Sequence, residues 1–227
     1  GGTLHILWNT ISQLAGLSGM AALALSFILS SRFKPLEIRL GGLDKMYRLH
    51  HRLGIAAFML LLAHPLFFSL RFIPQRMRHF FSFWLPLHRD FPVNLGVIAF
   101  WLFVLLIVLT LLRRFPYRWW KQSHRFMGIV LVIGGWHMLT MTETSGRVVA
   151  SQNNVVLFFY MLLVMVLGFV SFCYREIWVP LAKERIKYKV GKIDRRPSGI
   201  MSIQLEPVNG SLEHRSGQFV FARFEQP

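Results

Sequence analysis

Residues 46–64 read MYRLHHRLGIAAFMLLLAH and contain the pattern on which the fold depends. After Arg52 the stretch is almost uninterrupted apolar sequence, and His50 and His64 stand at its two ends. A membrane-spanning helix needs roughly 20 mostly apolar residues, and an ionisable side chain at membrane depth is costly and usually functional. This stretch therefore predicts a membrane helix that carries two functional histidines.

The composition of the whole chain is that of a membrane protein. Of its 227 residues, 54% are hydrophobic and 15% are aromatic, and the mean hydropathy is +0.45. An ordinary soluble domain is less apolar. The stretches apolar enough to span a bilayer are 4–29, 53–72, 93–112, 126–141 and 155–178. We predict an all-α multi-pass membrane helix bundle with about five spanning helices.

The N-terminal apolar stretch does not resemble a cleaved signal peptide, because it lacks a preceding basic flank and a following small-residue cleavage site. The sequence also begins with glycine rather than methionine. We expect it to begin inside a longer protein in which an earlier helix precedes residue 1.

The formal net charge of +16 is concentrated beside the apolar stretches, mainly in residues 32–52 and 113–125. Such placement indicates topology rather than nucleic-acid binding. The positive-inside rule puts both segments in the cytoplasm, although the alternate connection 72–91 also carries three arginines. We predict a multi-pass protein of the plasma or inner membrane, in contact with lipid, whose C-terminal segment is cytoplasmic.

The composition changes after Pro180. Short alternating runs appear at 201–205 and 218–221, with glycine and proline between them, as in β-strands. About 45 residues are too few for an independent barrel core. We therefore divide the chain into a membrane domain, 1–180, and the first part of a truncated soluble β domain, 181–227.

The chain has one cysteine, Cys173. A single cysteine excludes an intrachain disulfide, a cysteine zinc site, a cysteine-ligated iron–sulfur cluster and a CxxCH haem attachment. Any bound metal must therefore use other ligands.

Four histidines bracket two predicted helices: His50 and His64 the second, His124 and His137 the fourth. Each pair is separated by roughly 20 Å along a helix axis. Because the two helices run in the same direction, His50 and His124 share a cytoplasmic level, and His64 and His137 share an outer one. Two facing imidazoles can fill both axial positions of a haem iron. The pattern predicts four axial ligands for two b-type haems.

The helical angles suit the first pair better than the second. The fourteen-residue step from His50 to His64 leaves an offset of roughly 40°, whereas thirteen residues from His124 to His137 miss by roughly 140° and require a distortion. His51 is the alternative to His50. We prefer His50 because of its angle and because Gly54 follows it by four residues, as Gly128 follows His124. A glycine at that offset would give a flat macrocycle room.

Other histidines and arginines have simpler explanations. Histidines at helix ends can also serve as interfacial residues that reach the headgroups. We expect no ligand role for the histidines outside the pattern, His5, His79, His88 and His214, and His79 and His88 in the outer loop are candidates for contact with an acceptor. Four arginines near the cytoplasmic level would either pair with haem propionates or act only as topology determinants: Arg48, Arg52, Arg118 and Arg125.

The segments 46–54 through His64 and 124–128 through His137 resemble the ferric reductase-like transmembrane domain of bacterial flavocytochromes, iron-chelate reductases and NADPH oxidases. In that family two helices supply four histidines to two stacked haems, with the same steps of fourteen and thirteen. Residues 216–221 resemble the Pro-Gly-Gln-Phe strand of ferredoxin reductase-type FAD-binding barrels, with Ser216 in place of proline.

The resemblance implies an NAD(P)H-dependent transmembrane oxidoreductase. Its electrons would pass from cytosolic NAD(P)H through FAD and two haems to a small-molecule acceptor outside, either ferric chelate or dioxygen. The flavin and nicotinamide motifs of the family would lie beyond Pro227, so the resemblance names no catalytic residue here. The alternative is a haem b membrane subunit that relays electrons between quinol and a partner protein.

Overall fold

The computed structural model describes residues 2–73, 76–112, 116–145, 155–182, 187–195, 199–211 and 224. The chain divides into two compact units, residues 1–180 and residues 181–227. The first unit is helical. Its helices are α1 Gly2–Ser30, α2 Lys34–Arg39, α3 Leu43–Leu70, α4 Met77–Ser82, α5 Phe91–Leu111, α6 Tyr117–Arg125, α7 Met127–Ser145 and α8 Val155–Cys173. After α8 come a π-helical turn, Tyr174–Trp178, and the short α9, Val179–Ala182.

Each of the five predicted spanning stretches is helical. In the described part of the chain, four helices are long and apolar enough to cross a membrane: Thr3–Ser30, Leu43–Leu70, Phe91–Leu111 and Val155–Leu181. The remaining prediction, at 126–141, falls on α7, a 19-residue helix that is not among these four. Polar residues lower its hydropathy, because it contains His137 and, near its end, three threonines and a glutamate.

The helix α1 is the centre of the bundle. Of the 18 most apolar consecutive residues in α1, 56% are buried, whereas the corresponding share in the other three spanning helices is 11–22%. The helix packs on α3, α7 and α8. The buried core is built mainly from α1, α5, α7 and α8, and includes Leu23, Phe103, Leu131 and Met165. The outward faces of the spanning helices are apolar too, as expected for helices in lipid.

Small residues allow the helices of the bundle to approach closely. A Cβ atom added at Gly168 of α8 would lie 3.0 Å from the Cβ and 3.2 Å from the carbonyl oxygen of Ala24 in α1. Small side chains at such contacts bring backbones together in membranes, where van der Waals packing is a main driving force for association. Gly168 therefore fixes the distance between α1 and α8.

The second unit contains an antiparallel pair of strands, β1 Tyr188–Arg195 and β2 Met201–Pro207. The pairing shifts register between Val190 and Lys192, as at a β-bulge. The predicted strand at 201–205 lies in β2, and the predicted strand at 218–221 lies outside the described residues. In the part of this unit that the structure describes, the sheet has two strands and is not a closed barrel.

Replacing Gly168 with leucine should destabilise the bundle by about 1–3 kcal/mol, because the new side chain would meet the α1 backbone, which cannot move aside alone. The measurement is unfolding by SDS titration in micelles, followed by tryptophan fluorescence. Val170→Leu is the matched control, since Val170 lies on the exposed face of α8. Equal stability of the two variants would contradict the close α1–α8 contact.

Candidate functional site

The structure brings the four predicted histidines together as two pairs. The ring centres of His50 and His124 are 6.2 Å apart, with an angle of 80° between the ring planes. The ring centres of His64 and His137 are 6.3 Å apart, with an angle of 62°. Each pair joins α3 to α6 or α7. This is the pairing expected from two helices that run in the same direction.

A break in the helix at Phe126 brings the thirteen-residue step closer to this pairing. There α6 ends and α7 begins one residue later. The amide of Phe126 donates to the carbonyl of Ser123, and the amide of Ile129 donates to the carbonyl of Phe126. Each of these bonds joins residues three positions apart, as in a 3₁₀ turn. Such a turn rotates the chain by about 120° per residue, compared with 100° in an α-helix. The extra rotation reduces the angular mismatch between His124 and His137.

The α3 histidine of the second pair is held by α1. The Nδ1 atom of His64 lies 2.7 Å from the carbonyl oxygen of Ser12 and 3.1 Å from its hydroxyl oxygen. The Ser12 hydroxyl donates to the carbonyl of His64 at 2.8 Å. Because a carbonyl only accepts, Nδ1 must carry the hydrogen of the ring.

His50 has the same arrangement four helical turns away. Its Nδ1 atom lies 2.9 Å from the hydroxyl oxygen and 3.0 Å from the carbonyl oxygen of Ser26. The carbonyl again assigns the ring hydrogen to Nδ1. Both α3 histidines therefore donate to serines of the same neighbouring helix.

The other two histidines are held by α5. His137 Nδ1 lies 2.8 Å from the carbonyl oxygen of Pro92. His124 Nδ1 lies 3.4 Å from the Thr110 hydroxyl, which gives its own hydrogen to the carbonyl of Leu106. One face of the His124 ring is covered by Trp120, stacked 5.4 Å away.

In all four rings the hydrogen is thus placed on Nδ1, which leaves the Nε2 lone pair free. A metal-ligating histidine typically donates its other N–H to a carbonyl, a carboxylate or water in this way. A bond from a metal to an imidazole nitrogen is about 2.0–2.1 Å long, and the ring centre lies roughly 1 Å beyond that nitrogen, so imidazoles on opposite sides of one metal have centres about 6 Å apart. The observed separations fit two axial pairs.

Ring spacing by itself would not identify such a site, because aromatic rings in ordinary edge-to-face contact have centres 4.5–7 Å apart. The hydrogen bonds make the difference, since they give every ring the same tautomer. Among the described residues no group of three or more histidine, cysteine, aspartate or glutamate side chains could hold a metal ion. Two facing imidazoles whose Nδ1 atoms are hydrogen-bonded fit a cofactor that takes two protein ligands per metal.

Glycines shape the space around two of these rings. A Cβ at Gly16 of α1 would lie 2.8 Å from His64 Nδ1, and one at Gly96 of α5 would lie 2.6 Å from Cε1 of His137. The rings occupy the room that the missing side chains leave. Gly54, predicted to clear the face near His50, has no atom within 4 Å of its Cβ position, whereas Gly128 is packed against the Phe172 ring.

A mainly apolar cavity of about 210 Å³ opens beside the His64–His137 pair. Its lining residues come from the first half of α1, the second half of α3, the first half of α5 and much of α7. Phe83 and Trp84, from the connection between α3 and α5, also line it. The His64–His137 pair therefore has space next to it for an apolar group.

The remaining histidines lie elsewhere. His51, the alternative to His50, is exposed, whereas His50 is half-buried against His124. His5 and His79 are exposed, and His88 Nε2 lies 3.1 Å from the carbonyl of Phe83. His214 lies outside the described residues.

Four arginines were predicted either to pair with haem propionates or to act as topology determinants, and two of them already have carboxylate partners. Arg48 pairs with Asp44 within α3. Arg125, next to His124, pairs with Glu176 of the π-helical turn at 2.5 Å. Arg52 and Arg118 are exposed. Paired arginines have less capacity for another anion, so Arg52 and Arg118 are the freer two of the set.

The residues that hold the histidines were not predicted from the sequence. Pro92 acts through its backbone carbonyl, and no property of its side chain signals that role. Ser12 and Ser26 did carry a signal, because they are fourteen residues apart, the same step as His50 to His64. That match becomes meaningful only once α1 is known to lie against α3.

Comparison with known proteins gives one positive result. No curated protein sequence matches the chain. Residues 15–135 match the family model described as ferric reductase like transmembrane component. The match covers more than half of the chain and includes His50, His64 and His124. The chain is therefore a membrane protein that belongs to the ferric reductase-like transmembrane family.

Proposed function

We propose that this protein is a transmembrane oxidoreductase with two b-type haems as its resident groups. It would take electrons from cytosolic NAD(P)H and FAD and deliver them to ferric chelate or dioxygen on the outer side. The observation that carries the proposal is the set of four half-buried imidazoles, paired about 6 Å apart, each with Nδ1 hydrogen-bonded, which leaves the Nε2 lone pair available. Family membership supports the transfer of electrons across the membrane.

The axial ligands in this proposal are His50 with His124 and His64 with His137. A haem held by each pair of imidazoles would supply one-electron transfer. The protein holds each ring by a hydrogen bond at Nδ1 and surrounds the pairs with apolar helices that exclude water. Ring orientation is thus fixed before any cofactor arrives, which lowers the cost of binding.

The donor side of the proposal rests on the second unit and on charge. The antiparallel strands β1 and β2 agree with the start of a soluble β domain, and the basic segments 32–52 and 113–125 favour a cytoplasmic C-terminus by the positive-inside rule. In that orientation His50 and His124 form the inner level. We assign the flavin to the continuation of this β domain.

The acceptor side rests on the cavity. The cavity adjoins His64 and His137 and is lined in part by Phe83 and Trp84 of the α3–α5 connection, which lies outside in the proposed orientation. An acceptor at this end would receive its electron close to the second pair. Because axial imidazoles leave no open iron position, it would do so without binding to the iron.

The first experiment is a dithionite-reduced minus oxidised absorption spectrum of the detergent-purified protein, with haem content by pyridine haemochrome. We expect two b haems per chain with low-spin bands. A chain that is folded and holds no haem would overturn the proposal and return the histidines to an interfacial role.

Substitution of single histidines tests the ligand assignment. We expect His64→Ala and His137→Ala each to remove one haem per chain and to leave the other low-spin signal largely intact, because the levels use separate rings. His50→Ala should remove the other haem. His51→Ala is the control and should retain both, since its ring is exposed. If the His51 variant loses a haem and the His50 variant does not, His51 and not His50 is the ligand.

The close contact at Gly96 gives a subtler test. Gly96→Ala would place a Cβ 2.6–2.9 Å from three atoms of the His137 ring, which must then turn away from its present position. We expect the haem at the His64–His137 level to be lost or to change its spectrum, with the other level unaffected. Gly135→Ala is the control, because its Cβ would meet only the flexible end of Met165. Identical spectra for the two variants would contradict the ring position.

A further inference from the structure

We propose that Ser12 and Ser26 are positioning residues that set the reduction potentials of the two haem levels, Ser12 the outer and Ser26 the inner. This inference rests on the proposed function. It concerns α1, a helix that supplies none of the four histidines, and it makes α1 part of the redox apparatus.

The first support is the matched register of α1 and α3. The two helices are antiparallel, since Ser12 meets His64 and Ser26 meets His50. Fourteen residues separate the serines, and fourteen separate the histidines. One helix therefore presents the same group to both levels, at the same angular offset. A single serine placed by chance would contact the histidine of one level and leave the histidine of the other level without such a partner.

The second support is the chemistry at Ser12, which is fully buried. Its hydroxyl hydrogen is used on the carbonyl of His64. Its oxygen can therefore only accept at the Nδ1 contact of 3.1 Å, next to its own carbonyl at 2.7 Å. Ser12 thus supplies two acceptors to one ring hydrogen and also ties the two helix backbones together.

Ser26 likewise places its hydroxyl oxygen and its carbonyl oxygen near the Nδ1 atom of His50. Its hydroxyl oxygen is the nearer, at 2.9 Å from His50 Nδ1, and its carbonyl lies at 3.0 Å. Ser26 is 5% exposed, so water does not replace the hydroxyl easily. Ser26 therefore offers His50 Nδ1 a hydroxyl and a carbonyl acceptor at nearly equal distances.

An acceptor at Nδ1–H makes the imidazole a more basic ligand. A more basic ligand stabilises the ferric over the ferrous state and lowers the reduction potential. Removal of a hydroxyl acceptor should therefore raise the potential of the haem on the same level. The backbone carbonyl remains in each variant, so the ring keeps its tautomer and the haem should stay bound.

The chain offers a matched control in Ser69 of α3. It is as buried as Ser12, and its hydroxyl donates to the carbonyl of Leu66 in its own helix at 2.8 Å. Ser69→Ala removes the same atoms from the same bundle without touching a histidine. Any general effect of losing a buried hydroxyl will appear in this variant too.

The experiment is a potentiometric titration of the full chain in lipid nanodiscs, followed by haem absorbance. His64→Ala, which retains the inner haem, identifies which signal belongs to which level. We expect Ser12→Ala to raise the potential of the outer haem and Ser26→Ala that of the inner haem. Each change should be about two- to tenfold in the reduction equilibrium constant, the effect of one neutral hydrogen bond. Ser69→Ala should shift neither.

The possible failures are distinguishable. Two low-spin haems in the wild-type protein, with unshifted potentials in both serine variants, would overturn this inference and leave the proposed function standing. Equal shifts of both haems in Ser12→Ala, or the same shift in Ser69→Ala, would also overturn it, since both would indicate a general structural effect. Absence of haem from the folded wild-type chain would overturn the proposed function and this inference together.

Discussion

The structure depends on one constraint: an imidazole inside a membrane bundle has two ring nitrogens, and the hydrocarbon offers a partner to neither. An unsatisfied polar group there costs several kcal/mol. The protein satisfies Nδ1 of each ring with a group of α1 or α5, and the ring centres of each pair lie 6.2–6.3 Å apart. The helices therefore form two sets: α3, α6 and α7 carry the histidine rings, and α1 and α5 provide the hydrogen-bond acceptors for them. The buried position of α1 follows from this arrangement.

Much of this could be predicted from the sequence, because the strongest signals are local. Long apolar runs define the spanning helices, and the steps between histidines, combined with parallel helices, give the two pairs. The need for a distortion between His124 and His137 also followed from the helical repeat. Its location at Phe126 did not, since no proline or glycine marks that residue. The choice of His50 over His51 was made by angle, and the half-buried and exposed positions of the two residues agree with that choice.

The set of acceptors could not be predicted, since it depends on which helix lies beside which and in what register. Gly16 and Gly96 show the same limit: each appears in the sequence as one more glycine in an apolar helix, and its role appears only when a histidine ring lies 2.6–3.1 Å from its Cβ position. Gly128 shows the converse. Its spacing from His124 suggested room for a macrocycle, and tertiary packing fills that room with Phe172.

The shared register of α1 and α3 also limits how the sequence can change in length. A single residue inserted between Ser12 and Ser26 would rotate one serine by about 100° relative to the other, so that one of the two would lose its histidine. The loops between helices carry no such restriction, because they fix no relation between the levels. The number of residues between Ser12 and Ser26 is therefore constrained by the spacing of the two histidines. Insertions and deletions in this segment should be tolerated less well than substitutions.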